Sequence, residues 1–281
     1  PEGYNDALQN ALPNNESATL KVYLNQGFNM QGANVAKTSL NALIAQLNAQ
    51  YSANFIAQIG DEKIDATQAA VLVAPIVGEE TIFNEITAST ANGSAPVLMA
   101  VPAWVGALIG GFVLFLSASM ILKREMLTRK QTIELMLEQI LFGAIIALFS
   151  GFTVATLGAI AGINMPSYWL VALYVSFAAF CFFLLVSAIT AWIGKPAITL
   201  LMVVMLLGMG VLMTPMEMLP DFFVNFIRPW IPLRFASEGL REIFYFGSGF
   251  YTGSSFNTIL GIGIGGFIVY GLSIFKPVKA K

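Results

Sequence analysis

Apolar and polar positions divide this chain into two parts with different rhythms. Up to about residue 95, apolar residues recur at intervals among Asn, Gln, Ser and Thr; beyond it they run on almost without a break. No charge occurs from Ile86 to Leu122, and Met99–Leu122 has the roughly 20 apolar residues that a membrane helix needs. Gln139 to Gly194 is again free of charge and long enough for two spans. The breaker-rich turn Gly162-Ile163-Asn164-Met165-Pro166-Ser167 divides it into spans near 139–161 and 168–193. After Gly194-Lys195-Pro196, residues 197–214 make a fourth span, and 256–275 a fifth.

The first 95 residues read as a small α+β segment. Thr19–Leu24 is a strand candidate, followed by a helical stripe of Leu40, Ile44, Leu47, Tyr51, Phe55 and Ile59 at spacings of three and four. Ala70–Val77 and Thr81–Ile86 are two further strand candidates. The stripe needs a surface to cover: its own strands, a partner chain, or residues upstream of Pro1. The chain opens at Pro1 with neither a basic nor an apolar leader, so a preceding span or signal is expected to translocate this segment. The fold class expected is therefore a membrane α-helical bundle of about five visible spans. The first span of a six-span unit is missing, and the α+β segment is extracytoplasmic. The domains run 1–95 and 96–281.

Composition agrees. Apolar residues make up 57% and charged residues 11% of the chain, against roughly a quarter charged in soluble proteins. Nine of the sixteen acidic residues fall before Ala95, opposed there only by Lys21, Lys37 and Lys63. The net charge of −2 averages an acidic soluble part with a basic membrane part and gives no sign of nucleic-acid binding. Lys123, Arg124, Arg129, Lys130, Lys195, Lys276, Lys279 and Lys281 all fall on one side when five spans alternate, and the positive-inside rule makes that side the cytoplasm. A multi-pass plasma-membrane protein is expected, with residues 1–95 outside and the C-terminus cytoplasmic.

Candidate chemistry is sparse. There is no histidine, and the single cysteine, Cys181, sits in an apolar run as a packing residue. No G-x-x-x-x-G-K-[ST] phosphate loop, metal-ligand spacing, nucleophile elbow or carboxylate pair occurs, so no catalytic, cofactor or metal site is expected and an enzyme reading has no support. The span interiors carry no Asp, Glu, Lys or Arg, which argues against an ion-driven transporter. Glycines four apart, Gly106/Gly110, Gly158/Gly162 and Gly261/Gly265, are candidates for close helix packing, within the chain or in a dimer.

Two segments remain. Lys123–Glu138 is amphipathic, with Lys130/Glu134 an i,i+4 pair, and suits either a basic anchor on the anionic inner leaflet or a docking surface for a cytoplasmic partner. Its candidate contact residues are Lys123, Arg124, Glu125, Arg129, Lys130 and Glu134. Residues 217–247 predict two short outer helices, interfacial or re-entrant. Pro220 starts the first, with Phe222, Phe223, Phe226 and Ile227 on one side; Pro229 and Pro232 break it. On the second, Arg234, Glu238, Arg241 and Glu242 are spaced to pair, and Arg241–Glu238 is the expected salt bridge or gating pair.

The order of these parts resembles a type-2 ABC exporter permease, and most closely the phage infection protein (YhgE/Pip) family. The resemblance rests on ATLKVYLNQGFN (18–29), NGSAPVLMAVPAWVGALIGGFVLF (92–115, with Pro96, Trp104 and Gly106) and LPDFFVNFIRPWIPLRFASEGLREIFYFG (219–247). The last carries Leu219-Pro220, Pro229/Pro232 and Gly239-Leu240-Arg241. It implies a half-unit working as a homodimer or paralogue heterodimer, moved by a separate cytoplasmic ATPase through Lys123–Glu138. The charge-free spans fit an amphiphilic or lipid-like cargo. The alternative is a non-transporting surface protein, a receptor or a scaffold for a secretion machine.

Overall fold

The computed structural model describes residues 4–59, 63–124 and 128–276. The chain divides into two compact units, Pro1–Glu85 and Ile86–Lys281.

The first unit is built on two parallel strands, β1 (Ala18–Asn25) and β2 (Ile76–Phe83), paired from Ala18–Ile76 to Asn25–Phe83. Short helices α1 (Tyr4–Gln9) and α2 (Ala11–Asn14) precede β1. Parallel strands cannot be joined by a tight turn. The connection here is the 30-residue helix α3 (Met30–Ile59) and the short α4 (Ala66–Val73). The predicted stripe is the face of α3 that packs: Ile44, Leu47 and Tyr51 join Leu8, Ala18, Leu20 and Ile76 in one cluster. The polar residues beside the stripe are also used. Asn48 donates Nδ2 to the Ile76 carbonyl (2.9 Å) and accepts the Ile76 amide at Oδ1 (2.8 Å), so one side chain satisfies both backbone groups where β2 begins. Lys37 Nζ reaches Glu80 Oε2 at 2.6 Å.

Two strand expectations are corrected. Residues 70–73 are the end of α4, because Asp65 and Gln68 form a reciprocal capping box that starts a helix there (Gln68 amide to Asp65 Oδ1, 2.7 Å). Of the third candidate, 81–86, residues 81–83 are the end of β2, which runs unbroken from Ile76 to Phe83, and 84–86 lie beyond it. Gly78, Glu79 and Glu80, which separated the two candidates, all pair with β1 in register.

Among the described residues the second unit contains five helices long and apolar enough to cross a membrane. They are α5 (Ala95–Arg124), α6 (Arg129–Ile160), α7 (Tyr168–Ile193), α8 (Pro196–Met213) and, after the amphipathic α9 (Pro232–Tyr245), α10 (Gly253–Leu272). Helix α7 is the axis, packed against α5, α6 and α10. Its most apolar window is 72% buried, against 22% for α8 and α10, whose outer faces are left largely uncovered by the described residues.

Glycines set how closely the helices approach. A Cβ on Gly143 would fall into the Phe183 ring, and one on Gly151 into Ser176, so both α6 positions are closed to any side chain. A Cβ added at Gly106 would lie 2.9 Å from Ser150 Oγ, one at Gly110 3.2 Å from Ile146, and one at Gly158 2.5 Å from Met99. Gly162 packs against nothing; its φ of +80° turns the chain out of α6, a conformation that side chains resist. Gly261 and Gly265 also face open space within the chain. The close approaches of α10 fall instead at Gly263, where an added Cβ would lie 2.6 Å from Cys181 Sγ, and at Gly266, where it would lie 2.8 Å from the Leu184 backbone. The two inward glycines are three residues apart, and the rotation of α10 turns their face, not that of Gly261 and Gly265, toward α7.

Candidate functional site

Two assemblies at opposite ends of the spans hold the polar side chains. At the basic end, Thr128 caps α6 and exchanges hydrogen bonds with Gln131. The helix then runs through Arg129, Lys130 and Glu134 into the apolar span without a break. Sequence reading separated an amphipathic helix ending at Glu138 from a span beginning at Gln139. The structure makes 129–160 one rod of 32 residues, about 48 Å long at 1.5 Å per residue. Good helix formers and the absence of Gly or Pro between Arg129 and Phe142 leave nothing to interrupt the ladder. Lys130 and Glu134 stand 3.8 Å apart, largely exposed. Lys123 and Arg124 end α5, but their side chains, and Glu125 entirely, lie outside the described residues, as do Lys279 and Lys281.

The same end holds contacts that sequence reading missed. Gln139, only 8% exposed, donates Nε2 to the Leu114 carbonyl of α5 (3.1 Å) and accepts the Tyr270 hydroxyl of α10. One amide therefore ties three helices where the α6 rod enters the bundle. Lys276 Nζ reaches the carbonyls of Ala191 (3.1 Å) and Trp192 (2.7 Å), closing the C-terminal end of α7, where a cation is favoured. The Trp192 indole donates to Val269 (2.9 Å), and the Arg129 guanidinium lies 6.0 Å from the Phe275 ring centre. No motif marks this junction. A polar residue inside an apolar run was the available signal, and Gln139 was read only as the border of a span.

At the other end lies the hairpin between α8 and α10. A 3-10 turn (Met216–Met218), a π-helical turn (Phe223–Ile227) and a 3-10 turn (Arg228–Trp230) lead into α9. Pro229 has no N–H to continue a ladder, and Pro232 sits at the first turn of α9, where none is required. Phe223 and Ile227 pack on the bundle core; Phe222, Phe226 and Trp230 stay exposed. Helix α9 buries Leu233, Ala236, Leu240 and Ile243 against α5 and α10.

The expected Arg241–Glu238 pair is corrected. Glu238 Oε1 accepts from Arg234 Nε at 2.7 Å and from Arg228 at 3.0 Å, so the carboxylate is shared by two other arginines. Arg234 lies one turn before Glu238, the favoured i,i+4 spacing, and Arg228 reaches across from the preceding turn. Arg241 is partly buried. Desolvation pulls its guanidinium below the ordinary value while Glu238 opposes the shift, and the group keeps its proton. Beneath α9, Tyr174 of α7 pairs with Thr252 (Oη to Oγ1, 2.9 Å), with its hydroxyl against Gly239. Gly239-Leu240-Arg241 thus has a packing explanation at its first two positions: Gly239 admits Tyr174, and Leu240 is 1% exposed in the core.

Among the described residues no three Cys, Asp or Glu side chains converge to hold a metal ion. The arrangement is mechanical: a rigid rod with an exposed charged end, a buried polar junction, and a pinned hairpin at the far side. The family model described as ABC-2 family transporter protein matches residues 1–276. No curated protein and no solved structure matches. A family match over almost the whole chain, together with five long apolar helices among the described residues, places this multi-pass membrane protein in the ABC-2 transporter family, as a permease.

Proposed function

We propose that the chain is the membrane half-unit of an exporter driven by a separate cytoplasmic ATPase, and that it works as a homodimer or with a paralogue. The carrying observation is the unbroken α6, whose exposed Arg129–Glu134 turn and membrane span are one rigid body. Motion delivered to that turn cannot be absorbed by a hinge before it enters the bundle. Lys123, Arg124, Glu125, Arg129, Lys130 and Glu134 are the proposed contacts for the ATPase. The placement of Lys and Arg supports a cytoplasmic basic end and C-terminus, with residues 1–95 outside the plasma membrane. Apolar span interiors support an amphiphilic cargo, and the motifs of 18–29, 92–115 and 219–247 support the YhgE/Pip branch.

The test is mild-detergent purification of the full-length protein from its native membrane, with mass spectrometry of what accompanies it. A stoichiometric nucleotide-binding subunit is expected, lost when Arg129 and Lys130 are replaced by Glu. Inserting two glycines between Glu138 and Gln139 should keep that subunit bound and abolish export. A protein that comes away alone, or only with surface and secretion components, would instead support the receptor or scaffold reading.

A further inference from the structure

A groove of about 440 Å³ runs along the α6–α7 seam, within the range of sites that hold small ligands. Ala147 and Ser176, both 4% exposed, form its floor. Phe177 and Phe180 form a wall, and Leu148 (49% exposed) and Leu173 (44%) form the rims. Ser176 Oγ already donates to the Ala172 carbonyl at 2.8 Å, so the floor makes no polar demand on an occupant. Phe250 closes one end, held 5.7 Å from both Phe177 and Phe256. The groove persists because the seam is pinned on either side of it, by Gly143 under Phe183 and Gly151 under Ser176.

Depth decides what fills it. Tyr168 and Trp169, with Trp169 66% exposed, form an aromatic cluster with Phe152 and mark a headgroup level. Leu173 to Phe180 lie four to eleven residues further along α7, about 6 to 17 Å below that level, which is the hydrocarbon of one leaflet. Water gains nothing there, and a polar occupant would find no partner.

We propose that the groove seats one acyl chain of a phospholipid from the leaflet at the Trp169–Phe250 end, as a resident lipid rather than cargo. This inference needs neither the ATPase nor the proposed orientation.

The experiment places the full-length protein in nanodiscs containing a phosphatidylcholine whose acyl chain carries a mid-chain diazirine. After irradiation, adducts are mapped by peptide mass spectrometry. Labelling is expected to concentrate on 144–148 and 173–180, above the level on α8 and α10 of the same molecules. Ala144→Phe at the groove edge, which puts a ring into the space the chain would fill, should lower it several-fold through lost packing room rather than lost hydrophobic transfer. Labelling of α10 should stay constant and report that the bundle is intact. Ala147→Phe is a second filling variant. Label spread evenly over all exposed span surface, or insensitive to both variants, overturns the proposal. So does label that enters the groove only while a partner ATPase turns over, because the occupant is then cargo.

Discussion

The Tyr174 hydroxyl occupies the space that a side chain at Gly239 would need, and it is held there by Thr252 at 2.9 Å. This contact fastens α9, which does not span, to the central helix. Gly239→Ala should destabilise the protein by about 1–3 kcal/mol through overpacking. Tyr174→Phe alone should lose about 1 kcal/mol with its hydrogen bond, yet relieve part of the Gly239→Ala penalty in the double variant. Thermal unfolding in detergent of the four proteins checks this. Strict additivity would show that the hydroxyl is not what Gly239 accommodates.

Gln139 and Tyr270 form a buried polar contact inside the span region. Tyr270→Phe and Gln139→Leu should each cost roughly 0.6–2 kcal/mol, the range for hydrogen bonds between membrane helices. Both variants should insert and fold. If the junction carries motion from α6 to α5 and α10, each should lower export per ATP hydrolysed while leaving partner binding intact. Unchanged coupling would reduce the junction to packing.

Glu238 sits between Arg228 and Arg234 with side chains about a quarter exposed. Glu238→Gln leaves two guanidiniums facing each other and should destabilise the hairpin by about 1–2 kcal/mol, less than a fully buried pair would lose. Arg241→Lys, outside this pair, should cost less than Arg234→Lys. Maleimide labelling of Ile231→Cys, at a position 2% exposed in the closed hairpin, reads hairpin opening against a quiet background, because Cys181 is only 3% exposed. Equal labelling in all variants would rule out the pair as a clamp.

In the first unit, the hydrogen bond from Lys37 holds the Glu80 carboxyl below its ordinary value, against a smaller effect of desolvation. Its stabilising contribution is present above the unfolded glutamate value of about 4.3 and is lost as pH falls through the lower folded value. Hydrogen exchange of β2 peptides, corrected for intrinsic rates, should therefore rise below about pH 4 in the wild type. Glu80→Gln should show faster exchange at neutral pH and no further loss on acidification in this range. An acid loss of equal size in Glu80→Gln would assign it to another carboxylate.

Much of the architecture is legible in order along the chain. Apolar runs, their breakers at Gly162 and Gly194, and the stripe from Leu40 to Ile59 are local signals, because the bilayer and the 3.6-residue period act on each segment separately. Local reading failed where neighbours in sequence gave no weight to a distant partner. Residues 76–83 were divided because nothing before Ile76 announces that β1 will pair with all eight positions.

The sequence by itself determined that this is a multi-pass membrane protein, where the helices long and apolar enough to cross lie, and that an amphipathic stretch precedes the last of them. Tertiary structure decided which polar and small residues act together. It turned Gly263 and Gly266 inward in place of Gly261 and Gly265, gave Glu238 to Arg228 and Arg234, and carried α6 unbroken past Gln139 onto Leu114 and Tyr270. The reason is physical. Hydropathy is a property of a segment and its solvent, whereas a helix's rotation and a side chain's partner are fixed only when other helices pack against it.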